Sequence, residues 1–162
     1  MSQLRTNSIV PLDGLPVGAS GGGIIQVVTN HVSTSLSESV GANTDGTTKL
    51  LSVLITPTST SSKILVIAQI SGIRRDNSNG YMSARVTDGS SFTKKFGHAM
   101  MYTNGTSTLR IGSAGGSFLH SPSTTSQITY TLQFNSAAGS GGVVVGDNND
   151  CVSSLTLMEI AG

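Results

Sequence analysis

From residue 24 onward, apolar and polar positions alternate in short blocks, and no block shows the three-to-four spacing of an amphipathic helix. The clearest alternation lies at 127–135. Ile128, Tyr130, Leu132 and Phe134 point one way, and Thr129, Thr131 and Gln133 point the other. Similar blocks predict strands at 24–32, 50–56, 64–73, 81–87, 108–112, 116–120, 143–145 and 152–160, with one or two more in 92–102. Ile64, Leu65, Val66 and Ile67 are consecutive apolar residues, so a central strand covered on both faces is expected there. The polar break at 57–62 and the pairs Asp45-Gly46, Asn79-Gly80, Asp88-Gly89 and Asn104-Gly105 punctuate the blocks. Such pairs tolerate the positive φ of tight hairpins. About nine strands at a spacing of roughly 8–15 residues predict an all-β fold. The form expected is a jelly-roll-like β-sandwich of about 8–9 antiparallel strands over residues 24–162. No fixed-period repeat is visible, which argues against a solenoid or propeller.

Residues 1–23 follow a different pattern. Pro11, Pro16, Asp13-Gly14 and the run Gly21-Gly22-Gly23 forbid a helix and interrupt any strand. Leu4, Ile9, Val10, Leu12, Leu15 and Val17 are too many apolar residues for a solvated tail. An extended arm that docks on a neighbouring subunit or another protein fits both facts.

Composition narrows the classes further. Charged residues are 10% of the 162, against roughly 25% in an ordinary domain, and the net charge is +1. Ser, Thr, Gly and Asn stand in their place and suit strands and turns better than helices. Arg74-Arg75 and Lys94-Lys95 are the only dense basic groups, too little for a nucleic-acid interface. One cysteine, Cys151, rules out an internal disulfide framework. No apolar run approaches the roughly 18 residues of a membrane span, and the first residues lack a signal-peptide pattern.

Several short motifs are familiar together. They are Ile55-Thr56-Pro57-Thr58-Ser59-Thr60-Ser61-Ser62-Lys63-Ile64-Leu65-Val66, then Ser121-Pro122-Ser123-Thr124-Thr125-Ser126-Gln127-Ile128-Thr129-Tyr130, then Leu155-Thr156-Leu157-Met158-Glu159-Ile160-Ala161-Gly162. Leu4-Arg5-Thr6-Asn7-Ser8-Ile9-Val10 and Ile24-Ile25-Gln26-Val27-Val28 belong with them. With these stretches the chain resembles small β-structured domains in tail fibres and other virion proteins of tailed phages of marine and freshwater bacteria. The resemblance covers most of the chain through short, low-complexity motifs. It implies a virion location and homotrimers, and supplies no catalytic residues.

Candidate chemistry is sparse. Gly18-Ala19-Ser20-Gly21-Gly22 matches the hydrolase nucleophile-elbow spacing, but Pro16 precedes it and a β-segment follows instead of a helix. His31, His98 and His120 lack the paired spacing of metal ligands, so surface or partly buried strand positions are expected and no metal is assigned. Asp147-Asn148-Asn149-Asp150 offers oxygen ligands, yet lacks the Gly and Glu of an EF-hand loop and reads as a turn. Eight carboxylates, mostly at turns, leave a glycosidase pair open, while the absence of Trp and the presence of only three Tyr weaken sugar stacking.

The expectation from the sequence is therefore a non-enzymatic virion structural protein of fibre or adhesin type, without cofactor, nucleic-acid partner or membrane insertion. It would sit on the particle surface as a homotrimer, attached to other virion proteins by residues 1–23. Its tips at 76–80, 94–104 and 147–150 would contact host glycan or protein. Asp76, Asn77, Asn79, Asn104, Asp147, Asn148, Asn149 and Asp150 are the tip residues. The alternatives are a capsid decoration protein, favoured by the short chain, and, remotely, a small glycan hydrolase.

Overall fold

A computed structural model describes residues 23–39, 48–76, 80–103, 108–137, 142–147 and 151–162. The described residues form ten strands and no helix. They are β1 (Ile24–Val32), β2 (Leu36–Ser39), β3 (Thr48–Ile55), β4 (Lys63–Asp76), β5 (Gly80–Thr87), β6 (Thr93–Thr103), β7 (Leu109–His120), β8 (Ile128–Ala137), β9 (Gly142–Val145) and β10 (Ser153–Ile160). The arm residues Leu4, Ile9, Val10, Leu12, Leu15 and Val17 and the Gly18–Gly22 motif lie outside the described residues, as do Asn77, Asn79, Asn104, Asn148, Asn149 and Asp150.

Eight strands pair in a nested order: β1 with β10, β3 with β8, β4 with β7, and β5 with β6, all antiparallel. The β10–β4 and β8–β5 pairings then join these hairpins into two sheets, β1-β10-β4-β7 and β3-β8-β5-β6. This first-with-last nesting, split alternately between two sheets, is the jelly roll. The expected fold class is thus observed. The remaining pair, β2 with β9, attaches to the far end of β4.

Alternation builds the core. Ile64, Val66, Ala68 and Ile70 of β4, Leu155 and Leu157 of β10, and Tyr130, Leu132 and Phe134 of β8 are buried between the sheets. At roughly 25 cal/mol per Å² of apolar surface, this two-sided burial is the main stabilising contribution to the fold.

A bulge then reverses the phase of β4. Its register shifts between Ser71 and Ile73, and Gly72 has φ 64°. Before it the even residues face inward; after it Ile73 and Arg75 do. One inserted residue in a strand of period two has this consequence. Gly72 is required twice over. A side chain there would sit in the left-handed region, and its Cβ would lie 2.7 Å from Cys151 Cβ and 2.8 Å from the Asp147 nitrogen.

Several expectations change. The blocks at 108–112 and 116–120 are one strand, because the glycines between them stay paired with β4; a Cβ at Gly116 would come within 2.9 Å of Phe96. β2 was not anticipated, since its short sequence Leu36-Ser37-Glu38-Ser39 carries no apolar alternation. Residues 94–103 are not a tip: they form β6, hydrogen-bonded to β5. Finally, β4 is central in its sheet, but the second sheet covers only one of its faces. Ile67 is 37% exposed and Leu65 only partly covered.

Candidate functional site

Two features of the described surface stand out: a polar cleft at one end of the sandwich and an apolar stripe on its flank. The cleft lies where β5 turns into β6 and β7 passes to β8. Asp88 organises the first turn, its Oδ1 accepting backbone N–H bonds from Ser90 (2.8 Å) and Phe92 (3.0 Å). Gly89 follows with φ 77°, as the Asp-Gly pair requires. On the other side, the segment 121–127 runs from His120 to Ile128, with Thr124 Oγ1 accepting the Ser126 N–H at 3.0 Å.

An aromatic cluster forms the floor. Phe92 stacks on the His120 ring with centroids 4.5 Å apart and meets Tyr130 edge-on at 5.7 Å. His120 Nδ1 and the Tyr130 hydroxyl are 2.6 Å apart. Burial pushes the Tyr130 phenol well above its ordinary range, and the nearby Asp88 carboxylate adds to this. Burial also holds His120 below its ordinary value; Lys94 acts in the same direction and Asp88 opposes both. A neutral phenol can donate to or accept from the imidazole, so the direction of this bond follows the His120 tautomer. The cleft above has a volume of about 390 Å³, within the range of small-molecule sites, and its lining is mostly hydroxyl, amide and carboxylate.

The second feature arises from register. Val27 pairs with Met158, Met158 with Leu65, and Leu65 with Leu119. These residues form a row across all four strands of the first sheet, on the face turned away from the core. Val27 is 53% and Leu119 52% exposed. The next outward row is Thr29, Thr156, Ile67 and Ser117. At about 4.8 Å between strands, the apolar row is about 14 Å wide.

The tip residues divide. Asp76 closes β4, at the same end of the sandwich as Asp147. Asp147 is no displayed tip residue: its side chain is 16% exposed and accepts from Arg74 Nη1 (2.5 Å) and Arg110 Nε (2.9 Å). The Gly72 bulge seats it there, because Asp147 N–H donates to the Gly72 carbonyl at 3.0 Å. Of the described histidine side chains, His31 is exposed on β1 and His120 lines the cleft. Sequence reasoning missed the cleft because Asp88 and Ser121–Ser126 look like ordinary turn residues, and no spacing signal links Phe92, His120 and Tyr130.

No protein-family model matches the sequence, and no curated protein matches it. Among solved structures, the chain is similar to one from the infectious bursal disease virus Gx strain, with 14% identity, a TM-score of 0.45, and coverage of 84% of this chain and 40% of that one. A crystal structure of the VP2 subviral particle of the same virus gives 11% identity, a TM-score of 0.46, and coverage of 85% and 40%. The chain thus spans about 40% of the length of those viral chains. Likeness at this level concerns the all-β architecture and assigns no function.

Proposed function

We propose that this chain is a virion structural protein of fibre or adhesin type that assembles as a homotrimer through the outer face of its first sheet. The apolar row Val27–Met158–Leu65–Leu119 carries the proposal. An exposed apolar stripe across a whole sheet is costly in water and marks a contact surface. A second copy of the chain is the occupant that fits best. On one side the stripe is bordered by hydroxyls from Thr29, Thr156 and Ser117, which can pair across a subunit boundary without the desolvation cost of charge; on the other, Ile160 pairs with Lys63. The low charge of the chain, the jelly-roll topology and the resemblance to phage virion domains support the same reading.

Gly23 enters β1 beside the last strand, its carbonyl accepting the Ala161 N–H at 3.1 Å. Residues 1–22 therefore join the domain at the end opposite Asp76 and Asp147. In the proposed arrangement residues 1–23 attach the domain to other virion proteins.

Light scattering of the purified chain tests the assembly. A trimer is expected for the wild type, and monomers for Leu119→Lys and Leu65→Lys. A monomeric wild type, or a Leu119→Lys trimer as stable as the wild type, contradicts the interface. A cryo-EM map of the particle tests the location; no density for a three-fold jelly roll overturns the virion assignment.

A further inference from the structure

We infer that the cleft between the Asp88–Ser91 turn and the 121–127 segment binds a neutral saccharide of one or two sugar units. The inference goes beyond the assembly reading and stands independently of it. Its basis is the chemistry of the lining. The described residues lining the cleft include no Lys or Arg to clamp a phosphate or carboxylate directly; Lys94 stands behind the lining, over the Phe92 ring at 6.0 Å, where the Asp88 carboxylate offsets its charge on His120. Asp88 is the only carboxylate among them, too few for a calcium site and one short of a glycosidase pair. Pro122 and Ile128 are the only apolar residues in the lining, so a hydrophobic ligand would leave polar groups unpaired.

What the cleft offers is a mixture of donors and acceptors at short range. His120 brings its imidazole to the lining, a donor or an acceptor according to its tautomer. Asp88 has committed Oδ1 to its own turn, and among the described residues Oδ2 takes no hydrogen bond. Gln127 supplies an amide, and Ser91 and Thr129 supply hydroxyls. A ring of hydroxyl groups, each both donor and acceptor, is the ligand class that satisfies such a set. The groups are also held in place before any ligand arrives. Phe92 and Tyr130 fix the His120 ring, two backbone N–H groups fix Asp88, and the Ser126 N–H fixes Thr124. Preorganisation lowers the ordering cost of binding. Hydrogen bonding, and not stacking on an exposed aromatic, is then the means of recognition, which suits a chain without Trp.

The cleft opens where β5, β7 and β10 end and β6 and β8 begin. The saccharide is thereby placed at the Gly23 end, away from the Asp76 and Asp147 end.

Amide-resolved NMR of the full chain tests the inference. Glucose, galactose, N-acetylglucosamine and lactose are titrated in turn, with glucuronate and N-acetylneuraminate as acidic counterparts. At least one neutral sugar is expected to give saturable shifts at Ser90, Thr124 and Gln127, with Kd on the order of millimolar. Gln127→Ala, at an exposed position, should weaken the sugar-induced shifts at Ser90 and Thr124 at least about fivefold in Kd, and Arg110→Ala should leave them unchanged. The inference is overturned if neutral sugars give no saturable shift up to about 100 mM. Shifts confined to other parts of the domain, preference for the acidic sugars, or wild-type binding by Gln127→Ala would overturn it equally.

Discussion

Thr58 donates both its backbone N–H and its hydroxyl to Oε1 of Glu159, each at 2.7 Å. Gln26 Nε2 donates to the other oxygen, Oε2, at 2.5 Å. One fully buried carboxylate on the last strand thus ties together the first strand and the loop between β3 and β4. Burial alone would raise the pKa of Glu159, but the bonds from Gln26 and Thr58 outweigh it and hold the group at about 2.

Acid stability should report this clamp. The folded pKa lies below the ordinary 4.5, so the unfolded chain takes up the proton first as pH falls. The contribution of Glu159 is complete above about pH 4.5 and is lost between there and about pH 2, amounting to roughly 3 kcal/mol. Urea unfolding of the wild type across that window should show the decline. Glu159→Gln should be less stable at neutral pH and lack the decline; an unchanged pH profile in the variant contradicts the clamp.

The bulge in β4 makes a backbone prediction. Gly72→Ala combines a strained positive φ with contacts under 3 Å to Cys151 and Asp147. A loss of about 2–4 kcal/mol is expected in chemical denaturation, where Gly89→Ala, with open space around it, should lose only about 1. Equal losses at the two sites would show that crowding at Gly72 is relieved by movement of β9 and β10.

Asp147 distinguishes its two arginines. Arg110 is 65% exposed at the side chain, so Arg110→Ala should cost no more than about 1 kcal/mol, and less in high salt. Arg74, 25% exposed, is better shielded, and Arg74→Ala should cost about 1–3 kcal/mol. A double-mutant cycle with Asp147→Asn measures both couplings, and the reverse ranking would count against the geometry described.

His120 should titrate below its ordinary 6.5, because burial and Lys94 favour the neutral ring more strongly than Asp88 favours the charged one. The unfolded chain then protonates first as pH falls below 6.5, so stability contributed by this ring is present above that value and declines beneath it. Ring-proton NMR gives the midpoint directly. A midpoint above 6.5 would falsify the neutral-imidazole description of the cleft.

Period-two alternation in residues such as Ile128, Tyr130, Leu132 and Phe134, with Asp-Gly turns between blocks, determined an all-β sandwich from the sequence alone. Such signals are local, because a side chain's face depends only on its position along its own strand. Which strand lies beside which is not local. Tertiary pairing aligned Val27, Met158, Leu65 and Leu119 into one outward stripe, although they span 131 positions of the chain as numbered from Val27 to Met158. It also brought Phe92, His120 and Tyr130 under one cleft. The Gly72 bulge reversed the inward face of β4 where the alternation gave no warning, since a single residue out of register changes the face of every residue after it. Local pattern set the class of fold; long-range register decided where its surface is apolar, where it is polar, and what each part can bind.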